Sequence, residues 1–141
     1  MYLSYEDYQD MGGTLDETAF NNIEFEAECI VNWYTFDRLK NETTYPDELG
    51  KCMYALIKLI IQKSASLYGQ GGADGGVAFA VAGTYTSQSN DGVSTSYNVL
   101  SASDMLQSAD KEMGNIIKMY LNGVVNSLGR KLLYRGLYPG E

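Results

Sequence analysis

Histidine is absent from the 141 residues, and cysteine occurs only twice. Without histidine, Ser–His and Cys–His nucleophile pairs and the common zinc sites cannot be built. Cys29 and Cys52 both fall inside helical patterns and do not form a CxxC pair. We therefore predict no disulfide framework, and we expect both cysteines to be small apolar residues of the core. The missing residue types argue against an enzyme: we predict no catalytic residue and no metal site.

The chain also lacks an apolar run of the roughly 20 residues that cross a membrane. Its longest apolar stretch, residues 55–61, is interrupted by Lys58. The first ten residues are acidic and aromatic, with no basic region followed by an apolar segment, so we predict no secretory signal and no membrane association. The only glycine-rich segment follows a helix and has no lysine of a phosphate-binding loop, so no cofactor is predicted.

Charge is distributed unevenly along the chain. Residues 1–50 hold twelve acidic and two basic side chains, a net of −10. Residues 51–141 hold six acidic and eight basic side chains, a net of +2. Because an acidic surface repels the phosphate backbone, ordinary binding of duplex DNA is disfavoured.

The apolar periodicity predicts a single domain, residues 1–141, that is mainly α-helical. Ser4 is expected to cap the first helix, which ends at Gly12 and Gly13, and Thr14 or Asp16 is expected to cap the second. The third helix is apolar over more than half of its circumference, which predicts a central position. The predicted helices cover residues 4–11, 16–34, 47–67 and 103–122.

The second helix carries its apolar residues at steps of three and four, beginning at Phe20. Phe25 lies off this stripe, which predicts a second apolar contact for the helix. Glu24 and Glu28 fall on the opposite face, where we expect a solvated acidic surface. The following residues, 35–45, are predicted to form a polar linker.

Between the third and fourth helices the sequence predicts a flexible loop and a protruding β-hairpin. Residues 69–83 contain six glycines and one charged residue, which is typical of a loop. Residues 84–99 contain an Asp-Gly pair, the favoured two-residue hairpin turn, and the side chains that follow it face alternate sides of a strand. The hairpin residues predicted to bind a partner are Tyr85, Asp91, Gly92, Val93 and Tyr97.

The chain ends in an apolar, aromatic and basic segment, residues 130–141. Because it follows the last core helix, we expect it to form an extended tail that leaves its own bundle and docks on a partner protein or a neighbouring subunit. The predicted fold is thus a small helical bundle with one protruding hairpin and an extended C-terminal tail. The tail residues predicted to bind a partner are Arg130, Lys131, Leu132, Leu133, Tyr134, Arg135 and Tyr138.

The order of these elements resembles the head–tail connector, or adaptor, family of long-tailed bacteriophages. The resemblance is carried by Tyr-x-x-Tyr-x-x-x-Gly-Gly at residues 5–13 and by the helix entry at residues 15–20. It continues through the serine-rich turn at residues 87–97 and the leucine-rich ending at residues 132–136. The glycine-alanine stretch at residues 69–83 is longer than the family pattern needs.

The resemblance implies a structural protein of the virion neck, assembled in the host cytoplasm. Such proteins form a ring, usually a dodecamer, between the portal protein and the stopper or tail-completion protein, and they extend the channel through which DNA passes. With this acidic charge, we expect DNA to pass without specific binding. A small cytosolic helical regulator or antitoxin-like dimer is the alternative, and the mass in solution separates the two.

Overall fold

The computed structural model describes residues 1–68, 88–90, 93–95 and 102–139 of the chain. Within these residues the fold is mainly helical, which confirms the predicted class. Each end of the four helices lies within one residue of its predicted position. The helices are α1 (Tyr5–Asp10), α2 (Glu17–Thr35), α3 (Asp47–Tyr68) and α4 (Ala102–Leu121).

Two short strands lie between α3 and α4. Strand β1 (Gln88–Asn90) pairs antiparallel with β2 (Val93–Thr95), and Asn90 stands opposite Val93. The rest of the predicted hairpin, including the turn at residues 91–92, lies outside the described residues. The flexible loop at residues 69–83 lies outside them as well, so the protruding hairpin and the loop both stay predictions.

The chain divides into two compact units. The first comprises Met1–Ile60 and Glu112–Glu141, and the second comprises Ile61–Lys111. The second unit contains the later part of α3, the earlier part of α4 and the paired strands. All of the surface features described below belong to the first unit.

Side-chain caps begin the first two helices. The Ser4 hydroxyl accepts a hydrogen bond from the Asp7 amide at 3.1 Å, and the Asp16 carboxylate accepts one from the Ala19 amide at 2.9 Å. Both bonds satisfy amides that a first helical turn leaves without partners. Gly12 follows α1 with a φ of +89°, so the predicted glycine end is confirmed.

The core of the first unit is built around α3, as its broad apolar arc predicts. Between Leu49 and Ile60, seven of its apolar side chains are buried: Leu49, Cys52, Met53, Leu56, Ile57, Leu59 and Ile60. The other helices contribute Phe20, Ala27 and Val31 from α2, and Ile117 and Leu121 from α4.

Residues 35–45 are not the purely polar linker that their composition predicts. Helix α2 ends with Phe36 and Asp37 in the left-handed region, at φ values of 55° and 59°. This turn is followed by Arg38 and Leu39, which are both buried. The reversal therefore brings a charged and an apolar side chain back into the unit, which the local sequence pattern does not reveal.

Candidate interaction surface

An aromatic stripe runs along the exposed side of α2 and past its end. Phe25, Trp33 and Phe36 are 67%, 74% and 52% exposed. Cys29 lies between the first two rings, so Phe25, Cys29 and Trp33 follow one another at steps of four residues and share one helix face, and Phe36 follows just past the end of the helix. Burying one such ring contributes about 1.5–3 kcal/mol. Exposed apolar clusters of this kind mark sites of association.

The stripe borders a groove with a volume of about 1070 Å³. Its other walls come from the end of α4, through Lys118 and Asn122, and from the C-terminal segment, through Leu133 and Arg135. The Trp33 ring meets the Tyr34 ring edge to face, with centroids 4.9 Å apart. The groove is therefore lined by rigid rings on one side and by two cationic side chains on the other. We call it the α2 groove.

The acidic side chains of the α2 groove already have cationic partners. Glu28 lies 2.6 Å from the Met1 amino group, and Asp37 lies 3.0 Å from the Lys40 ammonium. Within the described residues, neither Lys118 nor Arg135 takes part in an ion pair. The groove thus carries a local positive excess, although the whole chain has a net charge of −8.

The C-terminal segment is held in place by the Arg38 guanidinium. Its Nη1 donates to the carbonyl oxygens of Lys131 and Leu132, each at 3.2 Å, and of Tyr134 at 2.5 Å. Its Nη2 donates to the carbonyl of Gly136 at 2.9 Å. Because backbone carbonyls hold the guanidinium, the charge of this buried group is solvated by the segment that it binds. We call this arrangement the Arg38 clasp.

Aromatic rings and backbone bonds complete the clasp. The Phe36 and Tyr138 ring centroids lie 5.2 Å and 5.0 Å from the Arg38 guanidinium carbon, within the range of cation–π attraction. The Tyr138 hydroxyl accepts a bond from the Lys131 amide at 2.9 Å. The Leu132 amide donates to the Val124 carbonyl at 3.0 Å. The segment therefore folds back on the end of α4.

The expectation that the tail leaves its own bundle is wrong for this structure. Leu132 is fully buried, and four carbonyls of the segment are bound by Arg38. Part of the segment nevertheless remains exposed, with Tyr134 at 50% and Leu137 at 84%. Residues 130–139 are thus a folded part of the first unit with one exposed apolar side, and their binding of a partner stays a prediction.

The acidic face predicted for α2 is partly buried. Glu24 is only 2% exposed, and one of its carboxylate oxygens accepts bonds from the Tyr2 amide at 2.7 Å and the Leu3 amide at 3.4 Å. The Tyr2 hydroxyl donates to the Asn32 side chain at 2.5 Å. Burial, together with the negative charge of Glu28, raises the pKa of Tyr2 to about 12, so the hydroxyl remains a donor. Glu24 therefore anchors the N-terminal segment, and the prediction that its side chain faces solvent is wrong.

The two cysteines have opposite environments. Cys52 is buried, as predicted, whereas Cys29 is exposed, so the prediction that both lie in the core is half wrong. The reason is the orientation of α2: Cys29 follows Phe25 by one helical turn and lies on the same outward face. Cys29 consequently lines the α2 groove.

The structure brings the predicted tail residues together but leaves most of the predicted hairpin residues undescribed. Val93 begins β2, while Tyr85, Asp91, Gly92 and Tyr97 lie outside the described residues. The α2 groove itself was not predicted. Its signal in the sequence was Phe25 off the main stripe, followed by residues at helical spacing that ended in Trp33 and Phe36.

Within the described ranges, no group of three or more acidic or cysteine side chains could hold a metal ion. No described helix is both long and apolar enough to pass through a bilayer. Comparison with protein-family models, curated proteins and solved structures gave no match to the chain. Two exposed apolar surfaces of the first unit are the α2 groove and the outer side of the C-terminal segment.

Proposed function

We propose that the protein is a structural subunit of a bacteriophage neck. In this role it forms a homo-oligomeric ring between the portal protein and the stopper or tail-completion protein. The ring extends the DNA channel and joins head to tail. The sequence order that resembles head–tail connectors suggests this role, and the exposed aromatic stripe of the α2 groove is the observation that supports it best.

The stripe supports the proposal because three large rings exposed to water favour a protein that works in an assembly. Aromatic side chains are enriched in the cores of protein interfaces and often dominate their energetics. Four further exposed apolar residues of the described chain fall between residues 125 and 137: Val125, Leu128, Tyr134 and Leu137. Two exposed apolar surfaces are expected for a subunit that contacts its neighbours in a ring and also another protein.

The exposed side of the C-terminal segment is proposed as the surface that meets the portal protein or a neighbouring subunit. Tyr134 and Leu137 are both exposed and offer apolar contacts there. The segment would dock in its clasped form, with Arg38 continuing to hold the backbone. The predicted hairpin at residues 84–99 is proposed to contact an adjacent subunit or the next neck protein.

Mass in solution and particle images test the proposal. We expect the purified full chain, over a range of concentrations, to yield closed rings with a central channel by electron microscopy and a matching mass by native mass spectrometry. Labelled protein should be found at the neck of virions. A dimer that never grows into larger species, and no label on the particle, would favour the small regulator.

A further inference from the structure

We propose that the α2 groove is occupied by a second copy of this chain, which inserts the exposed acidic face of its helix α1. The inference rests on the proposed ring, because a contact between two different surfaces repeats from copy to copy. The surface formed by Glu6, Asp10 and Met11 is called the α1 edge. The α2 groove of one subunit and the α1 edge of the next would form a single kind of contact.

Charge complementarity favours this occupant. The groove offers the exposed cations Lys118 and Arg135, neither of which takes part in an ion pair within the described residues. Helix α1 has acidic residues in its first turn and no basic residue in its last turn. Glu6 and Asp10 are both exposed and lie one helical turn apart, on the same face. Two carboxylates on one copy can therefore meet two cations on another.

The α1 edge also supplies an apolar anchor. Met11 follows Asp10 directly and is 39% exposed. Within the described part of the acidic first fifty residues, the other large apolar side chains that are exposed are Met1 and the three rings of the groove itself. A flexible thioether fits irregular aromatic surfaces well and makes favourable contacts with ring edges. The α1 edge, with two carboxylates and a methionine, thus complements a groove that has aromatic side chains and two cations.

The geometry of such a contact leads to a ring. The groove and the α1 edge are different surfaces, so the interface is head-to-tail and not self-complementary. Head-to-tail contacts generate closed rings when the rotation between copies closes, and open filaments when it does not. A groove-to-groove contact would instead stop at a dimer and would bring four like charges together.

The chain carries two reporters of groove occupancy. Trp33 is the only tryptophan and is 74% exposed, so all tryptophan emission reports on the groove. Cys29 is exposed in the groove whereas Cys52 is buried, so a thiol reagent reads the groove selectively. On assembly we expect Trp33 emission to shift to shorter wavelength and the reaction rate of Cys29 to fall at least about tenfold as solvent access is lost.

Charge reversal tests the pairing in the full chain. K118E/R135E reverses the groove and E6K/D10K reverses the α1 edge, and all four positions are exposed, so folding should be retained. Each variant alone should lose self-association, whereas an equimolar mixture should regain it, because each reversed surface meets its complement. The control K51E/K111E changes the net charge by as much as the groove variant, at two exposed lysines outside the groove, and should assemble normally.

The outcomes separate this inference from the proposed function. Rings with unshifted Trp33 and fully reactive Cys29 would overturn the groove inference and leave the ring intact. If Cys29 is protected in a species that stays dimeric, and E6K/D10K associates as the wild-type chain does, both the α1 edge as the occupant of the groove and the ring would be refuted. Protected Cys29 in an open chain, with both reversals effective, would uphold the contact while contradicting a closed ring. A wild-type chain that remains monomeric with reactive Cys29 would overturn the inference outright.

Discussion

At the scale of single residues, Arg38 joins the turn after α2 to the C-terminal segment. One buried guanidinium binds carbonyls of Lys131, Leu132, Tyr134 and Gly136 in a fixed fork. Lysine keeps the charge but cannot reproduce that planar set of donors. We expect Arg38→Lys to lower the free energy of unfolding by about 2–4 kcal/mol, since several buried carbonyls would lose their partners. Chemical denaturation measures this change directly.

Lys40→Ala provides the matched control. Lys40 pairs with Asp37 only two residues from Arg38, but both side chains are more than half exposed. Because an exposed pair is screened by water, its loss should change stability by no more than about 0.5 kcal/mol. If Arg38→Lys proved as mild as Lys40→Ala, the clasp would have no role in holding the C-terminal segment.

Two buried acids predict how stability responds to alkaline pH. Burial raises the pKa of the Cys52 thiol from 9.0 to about 12, and burial raises that of Tyr2 from 10.0 to about 12. At a pH between the ordinary and the raised pKa of each group, the unfolded chain has released a proton that the folded chain still holds. Below pH 9 these two groups should therefore give the free energy of unfolding no dependence on pH. Above pH 9 for Cys52, and above pH 10 for Tyr2, each group should lower it by about 1.4 kcal/mol per pH unit until the pH approaches 12.

Denaturation curves recorded from pH 8 to 11 check this prediction. Cys52→Ala removes one of the two groups, so its decline above pH 9 should be shallower than that of the wild-type chain, whatever its starting stability. An identical slope in both proteins would contradict the assignment to Cys52. Thiol titration gives a second check, since only Cys29 should react in the folded protein.

At the scale of elements, the C-terminal segment behaves as part of the core. Leu132 is fully buried, whereas Leu137 is 84% exposed five residues later. We expect Leu132→Ala to cost about 2–5 kcal/mol because it leaves a cavity. Leu137→Ala should change stability by less than about 0.5 kcal/mol and serves as the matched control. Truncation after Gly129 should likewise destabilise the first unit, and a fully stable truncated protein would show that the segment is dispensable.

Two helical glycines predict opposite effects of the same substitution. A Cβ at Gly114 in α4 would lie 2.5 Å from the Tyr34 hydroxyl and 3.2 Å from its ring, so this contact between α2 and α4 depends on glycine. A Cβ at Gly50 in α3 would meet only a Leu3 methyl at 3.8 Å. We expect Gly114→Ala to destabilise by about 1–3 kcal/mol through overpacking. Gly50→Ala should stabilise by about 0.5–1 kcal/mol through helix propensity.

Thermal melts of the two alanine variants check the sign of each effect. Adding Tyr34→Phe to Gly114→Ala removes the atom nearest the new methyl group and should recover part of the lost stability. A Gly114→Ala protein that is more stable than wild type would show that α2 and α4 are free to move apart.

At the scale of the whole molecule, the acidic charge predicts weak interaction with DNA. The chain has a net charge of −8, and its first fifty residues carry −10. In the proposed ring, such a wall would let DNA pass without holding it. We expect no micromolar binding of duplex DNA at about 50 mM salt, where non-specific binding is strong. Binding that weakens steeply with added salt would instead point to a nucleic-acid role for the basic C-terminal segment.

The sequence by itself determined the helices of this protein, because their signals are local. The periodicity of α2, the caps at Ser4 and Asp16, and the apolar arc of α3 all depend on residues within a few turns of one another. Phe25 lies off the main stripe and is 67% exposed, so the second apolar contact predicted for α2 stays a prediction. Only the tertiary structure decided which polar groups are buried, since their partners are distant in sequence.

Arg38 and Glu24 show the physical reason for that division. Arg38 meets carbonyls more than ninety residues away, and Glu24 meets amides about twenty residues away. Neither side chain can be distinguished from a solvated surface residue by its neighbours in the chain. A buried charge is stable only where the fold supplies partners for it. The position of the C-terminal segment, and with it one wall of the α2 groove, was therefore settled by long-range contacts.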